Sequence, residues 1–147
     1  MEEKRHDDKK QDLKHLQAAL QNQEKELWVR QQEAFRGGVE RSVQELRIIF
    51  DDFERCLANI PPDVPETYHE GLTVLKDAFV DSFKKLGVVR IPTVGRSYDP
   101  KFHEGVAHQD PEEGQEPFSI IDEVASGWMW QDNEDVIVPA KVKIIKG

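Results

Sequence analysis

His103-Glu104, with His108 five residues beyond the first histidine, is the grouping in this chain that most invites metal chemistry. A zinc-hydrolase motif sets two histidines four apart on one helix face, so that both rings reach a single ion. Here the spacing is five, in a segment that follows Asp99-Pro100 and reads as extended, and neither a metal nor a cofactor is expected. Asp51-Asp52 could be read as a general acid and base. Adjacent helical positions diverge by about 100°, and both carboxylates are expected on a solvated flank. Trp28, Trp128 and Trp130 could form a base-stacking platform, but such platforms lie in basic grooves, and this chain has a net charge of -9. Packing or partner contact is the better account of the tryptophans. Alternation puts Trp128 and Trp130 on one face, which leaves Trp130 as either sheet core or an anchor for a partner. No phosphate-cradling glycine motif is present, and no residue constellation supports a hydrolase. An enzyme is not expected.

The elements that would carry these residues follow from composition and periodicity. At 147 residues, 37% hydrophobic and 33% charged, the chain has room for one compact domain plus an extended element, with a balance that suits long solvated helices. The acidic net charge argues against duplex binding, which needs a basic face, and against an anionic membrane surface. Cys56 is the single cysteine, which excludes an intrachain disulfide and a cysteine-built zinc site. No apolar run approaches a membrane span. The mixed-charge start Met1-Glu2-Glu3-Lys4-Arg5 has neither a signal-peptide core nor the character of a transit peptide, so a cytoplasmic protein is expected.

Residues 1–12 read as a charged, flexible tail, and 13–60 as a long helix. Its first stripe is Leu13, Leu16, Leu20, Leu27, Trp28 and Phe35; its second is Val39, Val43, Leu46, Phe50, Phe53, Leu57 and Ile60. The alternating steps of four and three in the second series are those of a coiled-coil or bundle seam, and the two successive fours from Phe35 to Val43 form a stutter. Gly37-Gly38 lies at that join, each glycine costing a helix roughly 1 kcal/mol against alanine; it is either a tolerated soft spot or a hinge. Pro61-Pro62 stops the helix. A second helix is expected within 61–87, with the stripe Tyr68, Leu72, Leu75, Phe79, Phe83 and Leu86 and with Gly87 as its cap. From 88 to 147 the period changes to two, with candidate strands at 88–91, 105–109, 118–124, 128–130 and 136–145. In the last of these, Val136, Val138, Ala140, Val142 and Ile144 fall on one side, and Ile137, Pro139, Lys141, Lys143 and Ile145 on the other. The fold class is therefore α+β: a helical base and a small all-β module.

Several ordered pieces of the chain resemble the GrpE family, the adenine-nucleotide exchange factors of DnaK-type chaperones. They are Gly87-Val88-Val89, the run Tyr98-Asp99-Pro100-Lys101-Phe102-His103-Glu104-Gly105-Val106, then Pro117, Ile120, Glu123 and Gly127-Trp128, and finally Ile137-Val138-Pro139-Ala140-Lys141-Val142. The run Leu46-Arg47-Ile48-Ile49-Phe50-Asp51-Asp52-Phe53-Glu54-Arg55-Cys56-Leu57 is similar to the family's long-helix motif. The resemblance implies a parallel homodimer with a coiled-coil stalk, a four-helix bundle and two β-wings, one of which would engage the chaperone's ATPase domain and hold it open so that ADP leaves. By position it implies partner contacts at Tyr98, Val106, Val124, Trp130, Asn133, Asp135 and Ile144. Dimer contacts would come from Leu16, Leu20, Leu27, Val43, Leu46, Phe50, Phe53, Leu57, Leu72, Leu75 and Phe79. Asp99, Pro100, His103, Glu104, Gly127, Pro139 and Ala140 would organise the wing. Neither nucleic acid nor membrane is an expected partner.

The chain departs from the family's pattern at the presumed tip, Gln131-Asp132-Asn133-Glu134-Asp135, which is acidic and about two residues longer than usual where a basic residue is customary. Val138 stands in place of the strand's usual arginine, and Ile48 in place of the helix motif's usual proline. An inverted charge weakens docking on a typical partner surface, so a dimeric scaffold of the same fold with another partner is the alternative reading.

Overall fold

A computed structural model describes all of residues 1–147. The first element, α1, spans Glu2–Ala58. It takes in the segment expected as a tail, because no glycine or proline interrupts residues 2–36 and Glu2 and Glu3 complement the positive end of the helix dipole. Gly37 and Gly38 are helical, with open space where a Cβ would stand. The chain divides into two compact units, residues 1–39 and residues 40–147. The first is helix from Glu2 onward, and its large apolar side chains Leu13, Leu16, Leu20, Leu27, Trp28 and Phe35 are exposed. No helix is long and apolar enough to cross a membrane.

In the second unit α1 ends before Pro61-Pro62 and α2 spans Glu66–Lys85. Leu86 closes α2, and Gly87 follows at φ 86°, a left-handed conformation that glycine adopts without a Cβ penalty. Only part of the expected α2 stripe is covered. Phe83 is buried and Leu72 and Phe79 are half-buried, whereas Tyr68, Leu75 and Leu86 are exposed.

Six strands follow: β1 Val88–Arg90, β2 His103–Gln109, β3 Ile120–Ala125, β4 Trp128–Trp130, β5 Val136–Val138 and β6 Ala140–Ile145. They form two three-stranded sheets, β1-β4-β5 and β2-β6-β3. The first is antiparallel; in the second, β6 runs parallel to β2 and antiparallel to β3. The single long strand expected over 136–145 is thus two strands. Pro139, which has no amide to give to a ladder, stands between them, and the chain changes sheets there. The expected facing holds for Ala140, Val142 and Ile144, but Ile145 on the opposite side is also fully buried. Its backbone is paired with the 118–119 segment, the Phe118 N–H donating to Ile145 O and the Ile145 N–H to Ser119 O, both at 3.0 Å. The third strand starts at Ile120 rather than 118, because Phe118 sits at φ 61°, outside the strand region.

The core joins helices to sheet through aromatic rings. Phe50 of α1 stacks on Phe79 of α2 at 5.1 Å between centroids, and Trp128 of β4 presents its edge to Phe50 at 5.3 Å and to Phe83 at 4.9 Å. A smaller cluster, Ile120, Ala140, Val142 and Ile144 with Tyr98 packed against it, fills the second sheet.

Candidate functional site

The β2-β6-β3 sheet carries three bulges, and two of them lie beside the same residue of the central strand. Gly105 pairs with Val142 and Ala107 with Lys143, which leaves Val106 as the extra residue on β2. On the other side Glu123 pairs with Val142 and Ala125 with Lys141, which leaves Val124 as the extra residue on β3. A bulge re-aims the side chain it carries. Val106 and Val124 are 44% and 53% exposed, apolar groups set out on the two edges of one sheet.

The acidic tip is the turn between β4 and β5, held by its own bonds. The Trp130 N–H donates to Asp135 O at 2.9 Å and the Glu134 N–H to Trp130 O at 3.0 Å, with Glu134 at φ 57°. Asn133 donates through Nδ2 to Asp135 Oδ2 at 2.8 Å, and the Asp135 N–H donates to Asn133 Oδ1 at 3.0 Å. Both residues are exposed. Ile144 and Trp130 are not: they retain 5% and 4% exposure. Trp130 is turned inward and donates through Nε1 to Glu40 Oε1 at 2.8 Å, so its burial favours the core account over a partner anchor. Tyr98 is half-buried against the second-sheet core.

The residues around Asp99-Pro100 lock the loop that feeds β2. The Asp99 carboxylate accepts from the Lys101 N–H at 2.9 Å, and Asp99 O accepts from the His103 N–H at 2.9 Å. His103, 6% exposed, accepts from the Asp99 N–H at Nδ1 (3.0 Å), which leaves Nε2–H to donate to Pro92 O at 2.9 Å. Glu104 points to solvent. His103→Ala strands one donor and one acceptor, and a loss of about 2 kcal/mol is expected in chemical denaturation; an unchanged midpoint and slope would refute the tie.

Of the seam positions on the helices, Val43 and Phe50 are spent inside the unit, at 0% and 2% exposure. Phe53, Leu57, Leu72 and Phe79 are half-buried, while Leu46 and Leu75 remain exposed, together with Ile48, Ile49 and Val74, which the periodicity did not single out.

Sequence reading also missed a row of carboxylates. Asp51, expected on a solvated flank, accepts at Oδ1 from the Ser126 N–H (3.1 Å) and hydroxyl (2.5 Å), and the Ser126 hydroxyl in turn accepts from Trp128 Nε1 at 2.9 Å. Glu54 takes a two-pronged contact from Arg90, at 2.7 and 2.8 Å. Arg90 also donates to Glu123 Oε1 at 3.1 Å and lies over the Phe50 ring at 5.2 Å. Burial works against the Arg90 charge, but the hydrogen bonds and the field of Glu54 and Glu123 outweigh it, and its pKa is raised. The spacing was the available signal: Asp51 and Glu54 follow Glu40 by about three and four helical turns, on one face.

What these features define is an α+β helical scaffold carrying a two-sheet β-module that offers apolar bulges and an acidic turn to its surroundings. A family model described as GrpE matches residues 1–146. The chain is 31% identical over 134 residues to Protein GrpE of Methanothermobacter thermautotrophicus, an alignment covering 91% of this chain and 72% of that protein. It is 30% identical over 141 residues to Protein GrpE of Legionella pneumophila strain Corby, covering 96% and 69%, and 29% identical over 134 residues to that of Bacillus licheniformis, covering 90% and 67%. The chain belongs to the GrpE family.

Proposed function

We propose that this chain is a co-chaperone: an adenine-nucleotide exchange factor that binds the ATPase domain of a DnaK-type chaperone and accelerates ADP release by stabilising the open arrangement of its lobes. The observation that carries the reading is family membership along residues 1–146. A binding protein shifts such an equilibrium only by its difference in affinity for the two states, so no bond need be made or broken. The active form in this reading is a cytoplasmic homodimer. Residues 13–39 supply a stalk, the exposed apolar positions Leu46, Ile49, Val74 and Leu75 supply bundle contacts, and 88–147 supplies the wing.

Val106 and Val124 are the contacts this reading weights most, since they join exposure to a backbone irregularity that aims them. Val106→Asp/Val124→Asp is expected to raise the concentration for half-maximal exchange by about 10- to 100-fold, as loss of two apolar interface contacts does, with a melting curve close to the unsubstituted protein's. Stopped-flow release of a fluorescent ADP analogue from the DnaK-type chaperone of the same cell measures it. A double variant that exchanges as well as its parent would remove these residues from the interface.

The acidic tip favours a second reading, a dimeric scaffold for a different partner. The same stopped-flow measurement separates the two: a folded dimer that gives no acceleration at saturation is the scaffold.

A further inference from the structure

An exchange factor of the kind proposed above must do more than adhere. If the β-module could swivel on its helix, it would follow the chaperone lobe and bind open and closed arrangements about equally, and a ligand with equal affinity for two states shifts nothing. The attachment of module to helix therefore has a functional requirement of its own.

That attachment is polar as well as aromatic. Glu40, Asp51 and Glu54 present one face of α1 and reach Trp130, Ser126 and Arg90 of the module. Of the three contacts, the one at Arg90 spans the most structure. Its guanidinium leaves β1 in the first sheet, takes Glu54 of α1 in a fork, bonds Glu123 of β3 in the second sheet, and covers the Phe50 ring. Thr93 fixes the other oxygen of Glu123 at 2.6 Å, and Lys76 of α2 stands 3.9 Å from Glu54. Arg90 and Glu54 retain 30% and 27% side-chain exposure and Glu123 15%. Against an apolar replacement of similar shape, an ion pair removed this far from water contributes little net stability. What a forked guanidinium–carboxylate contact adds is direction, because two parallel bonds hold angle as well as distance.

We propose that Arg90 is a positioning residue: its clamp between Glu54 and Glu123 fixes the β-module's orientation on α1, and that stiffness converts chaperone binding into lobe opening. The inference rests on the exchange reading for its second half only.

The test neutralises the three clamp residues together, using Arg90→Met/Glu54→Gln/Glu123→Gln, with Arg90→Lys as the variant that keeps the cation and loses the fork. The triple variant is expected to reduce the maximal acceleration of ADP release about tenfold while its half-saturating concentration moves less than about threefold. Arg90→Lys is expected to fall between. Unchanged hydrogen exchange in β2, β6 and β3 would show the module still folded. A maximal rate equal to the parent's, or a loss confined to the half-saturating concentration, overturns the proposal. Orientation is read separately by the spin-label distance between the exposed Cys56 and Lys101→Cys, with labelled chain diluted into unlabelled chain. Its distribution is expected to widen about twofold or more in the triple variant. An unaltered width overturns the clamp even if the parent protein proves silent in exchange, a result that would instead sink the exchange reading.

Discussion

Gly127→Ala is expected to destabilise residues 40–147 by about 3 kcal/mol or more, at or above the upper end of what overpacking costs. A Cβ at this position would run into Ala140 N and stand 2.7 Å from both Ala140 Cα and Cβ. Neither backbone is free to yield. The Ala140 N–H is bonded to Phe102 O at 3.1 Å, and Gly127 O accepts from the Ile91 N–H at 2.9 Å. The clash is mainly with main chain, so trimming the neighbour gives no relief: Gly127→Ala/Ala140→Gly should melt no higher than Gly127→Ala alone. The expected fall in the melting temperature is roughly 10 °C. Calorimetry of both variants checks the argument, and recovery in the double variant would show that the contact is one between side chains.

Trp128→Ala is the second large effect, about 3–5 kcal/mol. Trp128 is fully buried and is the ring through which β4 meets both helices, edge-on to Phe50 and to Phe83. Its removal leaves a cavity at the meeting point of three elements, and none of them can close it without losing its other contacts. Trp128→Phe keeps most of the ring and removes the Nε1–H that donates to Ser126, so it should cost nearer 1 kcal/mol plus the smaller volume change. Urea denaturation should rank the two variants in that order, with a similar slope for both. A cost below about 1 kcal/mol for alanine would mean that the cluster does not hold module to helix.

Much of this fold was legible before any coordinates. The seven-residue seam from Val39 to Ile60, the double proline after it, Gly87 at the close of α2 and the change to a period of two each record a local preference, and local preference is what periodicity reports. The 128–130 strand was located to the residue, and the others to within a few positions, apart from the division at Pro139. The reading that Asp51 was solvated failed for a particular reason. A carboxylate on a helix looks the same in sequence whether water or a serine 75 residues away accompanies it. Trp130 was open between two accounts for the same cause, since its partner Glu40 lies 90 residues back. The two exposed valines could be placed on strands by alternation, but the bulges that turn them outward depend on how each strand registers against β6.

Composition, spacing and ordered motifs were enough by themselves to determine the α+β class, the helix-then-sheet order and the family. These are written in near-neighbour chemistry and in the succession of short runs. Which face of α1 turns toward the sheets, which strand edges carry Val106 and Val124, and whether Arg90 finds one carboxylate or two were decided only in the tertiary structure. The physical reason is that periodicity says which side chains share a face, whereas what that face meets is settled by burial among residues far apart along the chain.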